Sequence, residues 1–143
     1  GKAMAAQLLQ LRDHVAGQLT LVRARAPHVA ENYRGRLLER VRALVGELDI
    51  QADRKDVINE VAIFAERADI SEEVVRLDSH LAQFQEVIEE PESAGRKLEF
   101  VTQEMFRETN TIGSKASDVD ISRHVVEIKG TLEKIRELVQ NIE

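Results

Sequence analysis

The sequence predicts an all-α protein. Aromatic residues make up 3% of the chain and there are only 2 Pro and 7 Gly, while Ala, Leu, Glu and Arg are abundant, a balance that disfavours sheets. Apolar residues recur at steps of three and four through most of the 143 residues, the period of amphipathic helices. Hydrophobic content of 43% is enough for a core, and 32% charge interrupts every apolar run well before the roughly 18 residues a membrane-spanning helix needs. The length suits one domain or a compact helical array. With no Cys, a disulfide framework and Cys-ligated zinc or iron–sulfur sites are excluded, which fits a reducing compartment. The opening residues do not follow the pattern of a secretory leader.

Two prolines and several caps divide the chain into six expected helices. The first covers about 2–26 and ends at Pro27, with Leu8, Val15, Leu19 and Val22 on its apolar face. The second covers about 29–46, where Tyr33, Leu37, Val41, Leu44 and Leu48 step in fours and threes and Gly46 suits the C-terminal cap. The short break between them predicts an antiparallel, Arg-rich helical hairpin over 1–48. A connecting helix within 49–71 starts at the cap Asp53, has Asp56 in its first turn, and shows Val57, Val61, Phe64 and Ala68 on one face. Asp69 or Ser71 caps the fourth helix, 72–90, whose stripe is Val74, Leu77, Leu81, Phe84 and Ile88 and whose end is Pro91, followed by a loop over 92–95. The fifth covers about 96–112 and stops near Gly113. The sixth starts near Asp118 or Asp120 and carries the most regular seam: Ile121, Val125, Ile128, Leu132, Ile135, Val139 and Ile142. That spacing is bundle or coiled-coil packing, and the expectation is that this seam is exposed and covered by a second chain. The predicted fold is therefore a helical hairpin followed by a helical bundle or coiled-coil-like C-terminal region.

A net charge of −6 speaks against nucleic-acid binding when taken alone, but it is unevenly spread. Residues 1–48 hold 8 Lys+Arg and 4 Asp+Glu, leaving 12 and 22 for the rest. Seven of those first eight cations are Arg, at 12, 23, 25, 34, 36, 40 and 42. Arg suits bidentate phosphate contact, although solvated helices whose Arg side chains cover apolar neighbours would look the same.

The fifth helix carries the most informative surface. At 100° per residue, Leu98, Val101, Met105 and Ile112 form one narrow face that accounts for packing. The opposite side holds Arg96, Phe100, Gln103, Arg107, Asn110 and Thr111, with Glu104, Lys97 and Glu108 along the flank. Such a mixture suits a phosphate-and-base ligand: Arg for phosphate, amides for base or ribose edges, Phe for stacking. The competing explanation is a helix buried on two sides whose acids, Glu104 and Glu108, pair with Arg107 and Lys97. The loop 113–117 adds Lys115, but the spaced Gly and Gly-Lys-Ser/Thr order of a P-loop are missing. On the fourth helix Arg76, His80 and Gln83 line one flank, whereas His14, His28 and His124 have no comparable surroundings. No His-x₃-His, His-Glu-x-x-His or Gly-x-Ser-x-Gly pattern occurs, which removes motif-grade zinc sites and one common hydrolase nucleophile.

Three blocks in order carry a resemblance: Arg76-Leu-Asp-Ser-His80-Leu-Ala-Gln-Phe84, Gly95-Arg-Lys-Leu-Glu-Phe100, and Gln103-Glu-Met-Phe-Arg-Glu-Thr-Asn-Thr-Ile-Gly-Ser-Lys115. With the ending Lys134-Ile-Arg-Glu-Leu-Val-Gln-Asn-Ile-Glu143, the sequence resembles the YicC-like bacterial endoribonucleases, also described as stress-induced proteins. The likeness is strong over 72–143 and looser before that, and Phe106 stands where the family pattern has a small polar amide. The resemblance implies that this chain is the helical C-terminal half and that the family's N-terminal domain is absent from it. It also implies metal-assisted cleavage of single-stranded RNA by a cytoplasmic homo-oligomer, a dimer or higher for this chain and a hexamer for the whole protein.

Within that frame His80, Glu104, Glu108 and Arg107 are the expected catalytic residues. Glu104 and Glu108, one helical turn apart, are the expected ligands of Mg²⁺ or Mn²⁺, which favour carboxylate and water. Arg76, Arg96, Lys97, Gln103, Asn110 and Lys115 are the expected RNA contacts. His80 has the chemistry of a general acid. One alternative is a non-catalytic oligomerisation and RNA-docking module with catalysis in the missing half. Another is a plain adaptor bundle that uses the sixth helix to bind protein.

Overall fold

A computed structural model describes residues 2–47, 54–90 and 94–142. Among them are five helices and no strand: α1 Lys2–Glu47, α2 Arg54–Arg67, α3 Ser71–Ile88, α4 Gly95–Lys115 and α5 Val119–Gln140. Helices α1, α3, α4 and α5 close a ring of neighbours, α1 on α3, α3 on α4, α4 on α5 and α5 on α1. The pairings Arg23–Asp78, Glu73–Lys115, Gly113–Val125 and Arg25–Asp118 give the ring its four sides, and every adjacent pair runs antiparallel. The all-α expectation holds.

The hairpin expected over 1–48 does not form. Residues Lys2–Glu47 are one helix with Pro27 inside it, about 69 Å long at about 1.5 Å per residue. Proline has no N–H to donate to the carbonyl four residues back, and in a helix interior this costs about 3 kcal/mol. Tertiary anchors on both sides of Pro27 offset that cost. Val22 and Val29 are buried in the same core, and Arg25 forks onto Asp118 at 3.2 and 3.1 Å. Helix α2 packs instead on α1, with Arg34, Gly35 and Leu38 meeting Ala62 and Ala65 around one cleft. Of the face expected on the connecting helix only Val61 is buried, while Phe64 is 43% exposed beneath the Arg67 guanidinium. Leu48, the cap Asp53, Pro91 and the loop residues 92 and 93 lie outside the described residues.

The seam on the last helix corrects a second expectation. Ile121, Val125, Ile128, Leu132, Ile135 and Val139 are buried within the chain's own bundle, where α5 packs on α1 and α4. It is not an exposed face. Asp118 caps this helix as expected, its carboxylate accepting the Ile121 N–H at 3.1 Å. The Arg25 hydrogen bonds, helped by that N–H, hold the Asp118 carboxyl below the usual carboxylate range. Its contribution is therefore present above the ordinary Asp range and is lost as pH falls through the lowered value. At the start of α3, Asp69 accepts from the Ser71 hydroxyl and N–H, which likewise lowers its carboxyl pKa.

Helix α4 runs two residues past Gly113. A Cβ there would sit 3.1 Å from Val125 Cγ1, so the glycine permits close approach of α4 to α5 and does not end the helix. Gly95 makes a similar approach at the other end, where a Cβ would lie 3.0 Å from the Ile142 carbonyl oxygen. These two contacts fix the rotation of α4, and with it the side that α4 turns towards α3.

Candidate functional site

Helix α4 divides into four strips. Leu98, Val101, Met105 and Ile112 face the core, as the wheel predicts. Phe106 lies on the α5 side, buried beneath the Arg136 guanidinium 4.7 Å from its ring centre. Its departure from the family pattern thus falls outside the surface shared with α3. Arg96, Phe100, Gln103, Arg107 and Asn110 are exposed on the outer strip. The last strip, Lys97, Glu104, Glu108 and Lys115, turns towards α3.

Because α3 and α4 are antiparallel neighbours, Arg76 meets Glu108 and Gln83 shares a cleft with Lys97, with His80 between them on the α3 flank. Three pairs zip the two helices together. Arg76 Nε donates to Glu108 Oε1 at 3.0 Å. Lys115 is paired with Glu73 and lies 3.4 Å from the Asp69 carbonyl oxygen. Lys97 lies 3.3 Å from Glu90. The result is a shallow polar groove that contains Arg76, His80, Glu104 and Glu108, with Arg96, Phe100, Gln103 and Arg107 on its outer lip. All ten residues expected at the site therefore lie on the α3 flank or on these two neighbouring strips of α4.

The partners differ from those the sequence suggests. Glu108 is 7% exposed and belongs to Arg76, which it holds firmly protonated, and Arg76 also reaches Glu72 at 3.4 Å. Glu104 lies 3.8 Å from Arg107. Lys115, expected at phosphate, is engaged by Glu73, a carboxylate 1% exposed whose Oε2 has no hydrogen-bond partner among the described residues. Glu73 was invisible as a site residue, although an acid four positions before the buried Leu77 is an irregularity of the apolar row. His80 Nδ1 is 3.5 Å from Gln83 Oε1, and His124, which shows no such neighbours in the sequence, pairs with Gln18 across α1 and α5 at 2.7 Å.

Among the described residues no group of three or more His, Asp or Glu side chains comes together to hold a metal. A preformed cage is therefore not built from them. Magnesium needs none, since it commonly takes one or two carboxylates and completes its shell with water and substrate phosphate. Glu108 gives one carboxylate oxygen to Arg76, and Glu104 lies beside Arg107. No helix of the described residues is long and apolar enough to cross a membrane.

The chain has recognisable relatives among known proteins. A family model described as "Endoribonuclease YicC-like, C-terminal" matches residues 22–143. The chain is 43% identical over 143 residues to a probable endoribonuclease YicC of Clostridioides difficile (strain 630), covering all of this chain and 48% of that protein. It is 34% identical over 134 residues to a probable endoribonuclease YicC of Haemophilus influenzae, covering 94% of this chain and 45% of that protein. The chain thus spans about half the length of the curated relatives it matches.

Proposed function

The chain belongs to the YicC-like endoribonuclease family, and on that premise we propose that it is the part of an endoribonuclease that engages single-stranded RNA along the α3–α4 groove. The observation that carries this reading is the meeting of Arg76 with Glu108 between α3 and α4, one turn from His80 on α3 and one turn from the Glu104–Arg107 pair on α4. Hydrolysis of an RNA backbone joins a water oxygen to phosphorus and releases O3′ with a proton. Arg107 and Arg96, on the outer lip, hold phosphate oxygens by charge-assisted hydrogen bonds. Arg76 fixes Glu108 and presents its remaining donors to the strand. His80 supplies the proton that leaves with O3′. A divalent Mg or Mn ion held by Glu104 and Glu108, when bound, supplies charge stabilisation at phosphorus and an activated water.

The net charge of −6 is no obstacle, because the acids along this groove are held in pairs, Glu72 and Glu108 with Arg76, Glu104 with Arg107 and Glu73 with Lys115. Binding of this 143-residue chain to a single-stranded oligoribonucleotide at low salt tests the reading. Affinity should fall steeply as salt rises, since phosphate contacts release counterions. No binding at low salt would reject it. Self-association is part of the proposal, and it is supported by the partly exposed Leu44, Ile58, Ile63 and Phe64 on α1 and α2. Light scattering is expected to give a dimer or larger species, and a monomer at high micromolar concentration would contradict it.

A further inference from the structure

We propose that one end of the groove is a nucleobase subsite, in which a base of the RNA strand stacks on Phe100; this rests on the RNA reading above. Phe100 is 61% exposed, although the next residue, Val101, is buried. It borders a cleft of about 250 Å³ lined also by Gln83, Val87, Arg96, Lys97 and Val101. Val87 and Val101 are both buried and give the cleft an apolar floor. Arg96 makes no ion pair with another described residue, and Lys97 keeps company with the half-exposed Glu90.

These side chains match the parts of one nucleotide. A flat apolar ring and floor receive a base, whose π-face any aromatic side chain can stack against. The Gln83 amide offers both a donor and an acceptor to a base edge. Arg96 precedes Phe100 by one helical turn, so the two side chains are neighbours on the helix surface, a cation beside the ring where the phosphate of a stacked base would lie. A protein partner would cover Phe100 with more apolar surface, but the cations around the ring favour an anionic strand. An aromatic platform inside a cationic groove is how single strands are held without base pairing.

The chain contains no Trp, so Phe100→Trp introduces a single fluorophore at the subsite. Titration with a six-residue oligoadenylate at low salt should quench the indole saturably, with the same midpoint as the anisotropy of a labelled strand. An abasic ribose-phosphate strand of equal length should leave the emission unchanged. Phe100→Ala should weaken oligoadenylate binding roughly ten-fold, the worth of a stacked base, without changing its salt dependence. Binding with neither quenching nor loss in Phe100→Ala would overturn the subsite and leave the groove reading standing. No binding by any variant would overturn both. Indole emission already shifted to the blue without RNA would place the ring in a protein–protein contact and overturn the subsite.

Discussion

Replacing Glu104 and Glu108 together by Gln, in a chain of the relatives' full length, is expected to lower RNA cleavage by roughly a hundred-fold or more. Gln keeps the size and nearly the helix propensity of Glu but removes the charge that a divalent ion requires. Several kcal/mol of transition-state stabilisation should go with it, and each ~1.4 kcal/mol is a factor of ten in rate. The helical circular-dichroism signal should stay close to the parent's. Glu108 leaves Arg76 behind, but that guanidinium is half-exposed and remains hydrated. Chelation should abolish cleavage as well, with products from the untreated enzyme ending in 5′-phosphate and 3′-hydroxyl. A reaction that survives chelator and stops with a 2′-deoxy substitution at the cut position would assign the chemistry to His80 and the RNA's own 2′-hydroxyl. Near-parental cleavage by the double variant would reduce both carboxylates to the salt-bridge partners they already are, Glu108 of Arg76 and Glu104 of Arg107.

Phe84→Ala is expected to cost about 3–5 kcal/mol of folding stability, the usual range for truncating a buried aromatic. Phe84 is fully buried on α3, in the cluster that α1, α4 and α5 share, so little can collapse into the space it leaves. A domain of this size has only about 5–15 kcal/mol to lose. Urea denaturation followed by circular dichroism should show a large fall in midpoint. A change below about 1 kcal/mol would mean that α3 does not pack as described.

Continuous periodicity made most of the bundle legible in the sequence. The α5 seam and its cap Asp118 combine an unbroken run of four-and-three steps with a good capping residue, and both are found where expected. What the period leaves open is which neighbour covers the face. The same seam fits a partner chain or the chain's own helices, and α1 and α4 occupy it. Pro27 was misread for a different reason. Proline predicts a local break, while the buried Val22 and Val29 and the Arg25–Asp118 fork are tertiary and decide the outcome.

The groove was half legible. A helical wheel separates the polar strip of α4 from its core face because both lie on one helix. It cannot supply partners 32 or 42 residues away, and Arg76–Glu108 and Lys115–Glu73 are pairs of that kind. Lys115 consequently looked free for phosphate when a buried carboxylate holds it. Gln83 and Phe100 come together only once α3 and α4 are laid antiparallel.

The most direct measurement is the salt dependence of oligoribonucleotide binding by this chain, compared between two sets of Arg→Gln exchanges. One set is Arg96 and Arg107 on the groove's lip; the other is Arg36, Arg40 and Arg42 on the exposed half of α1. Each phosphate contact with a single strand contributes about 0.7 to the log–log slope, so losing the lip pair should flatten it by about 1.4. The α1 set should leave the slope nearly unchanged. An unchanged slope for the lip pair together with a flattened one for the α1 set would contradict the account, and would place the RNA on the long helix outside the bundle.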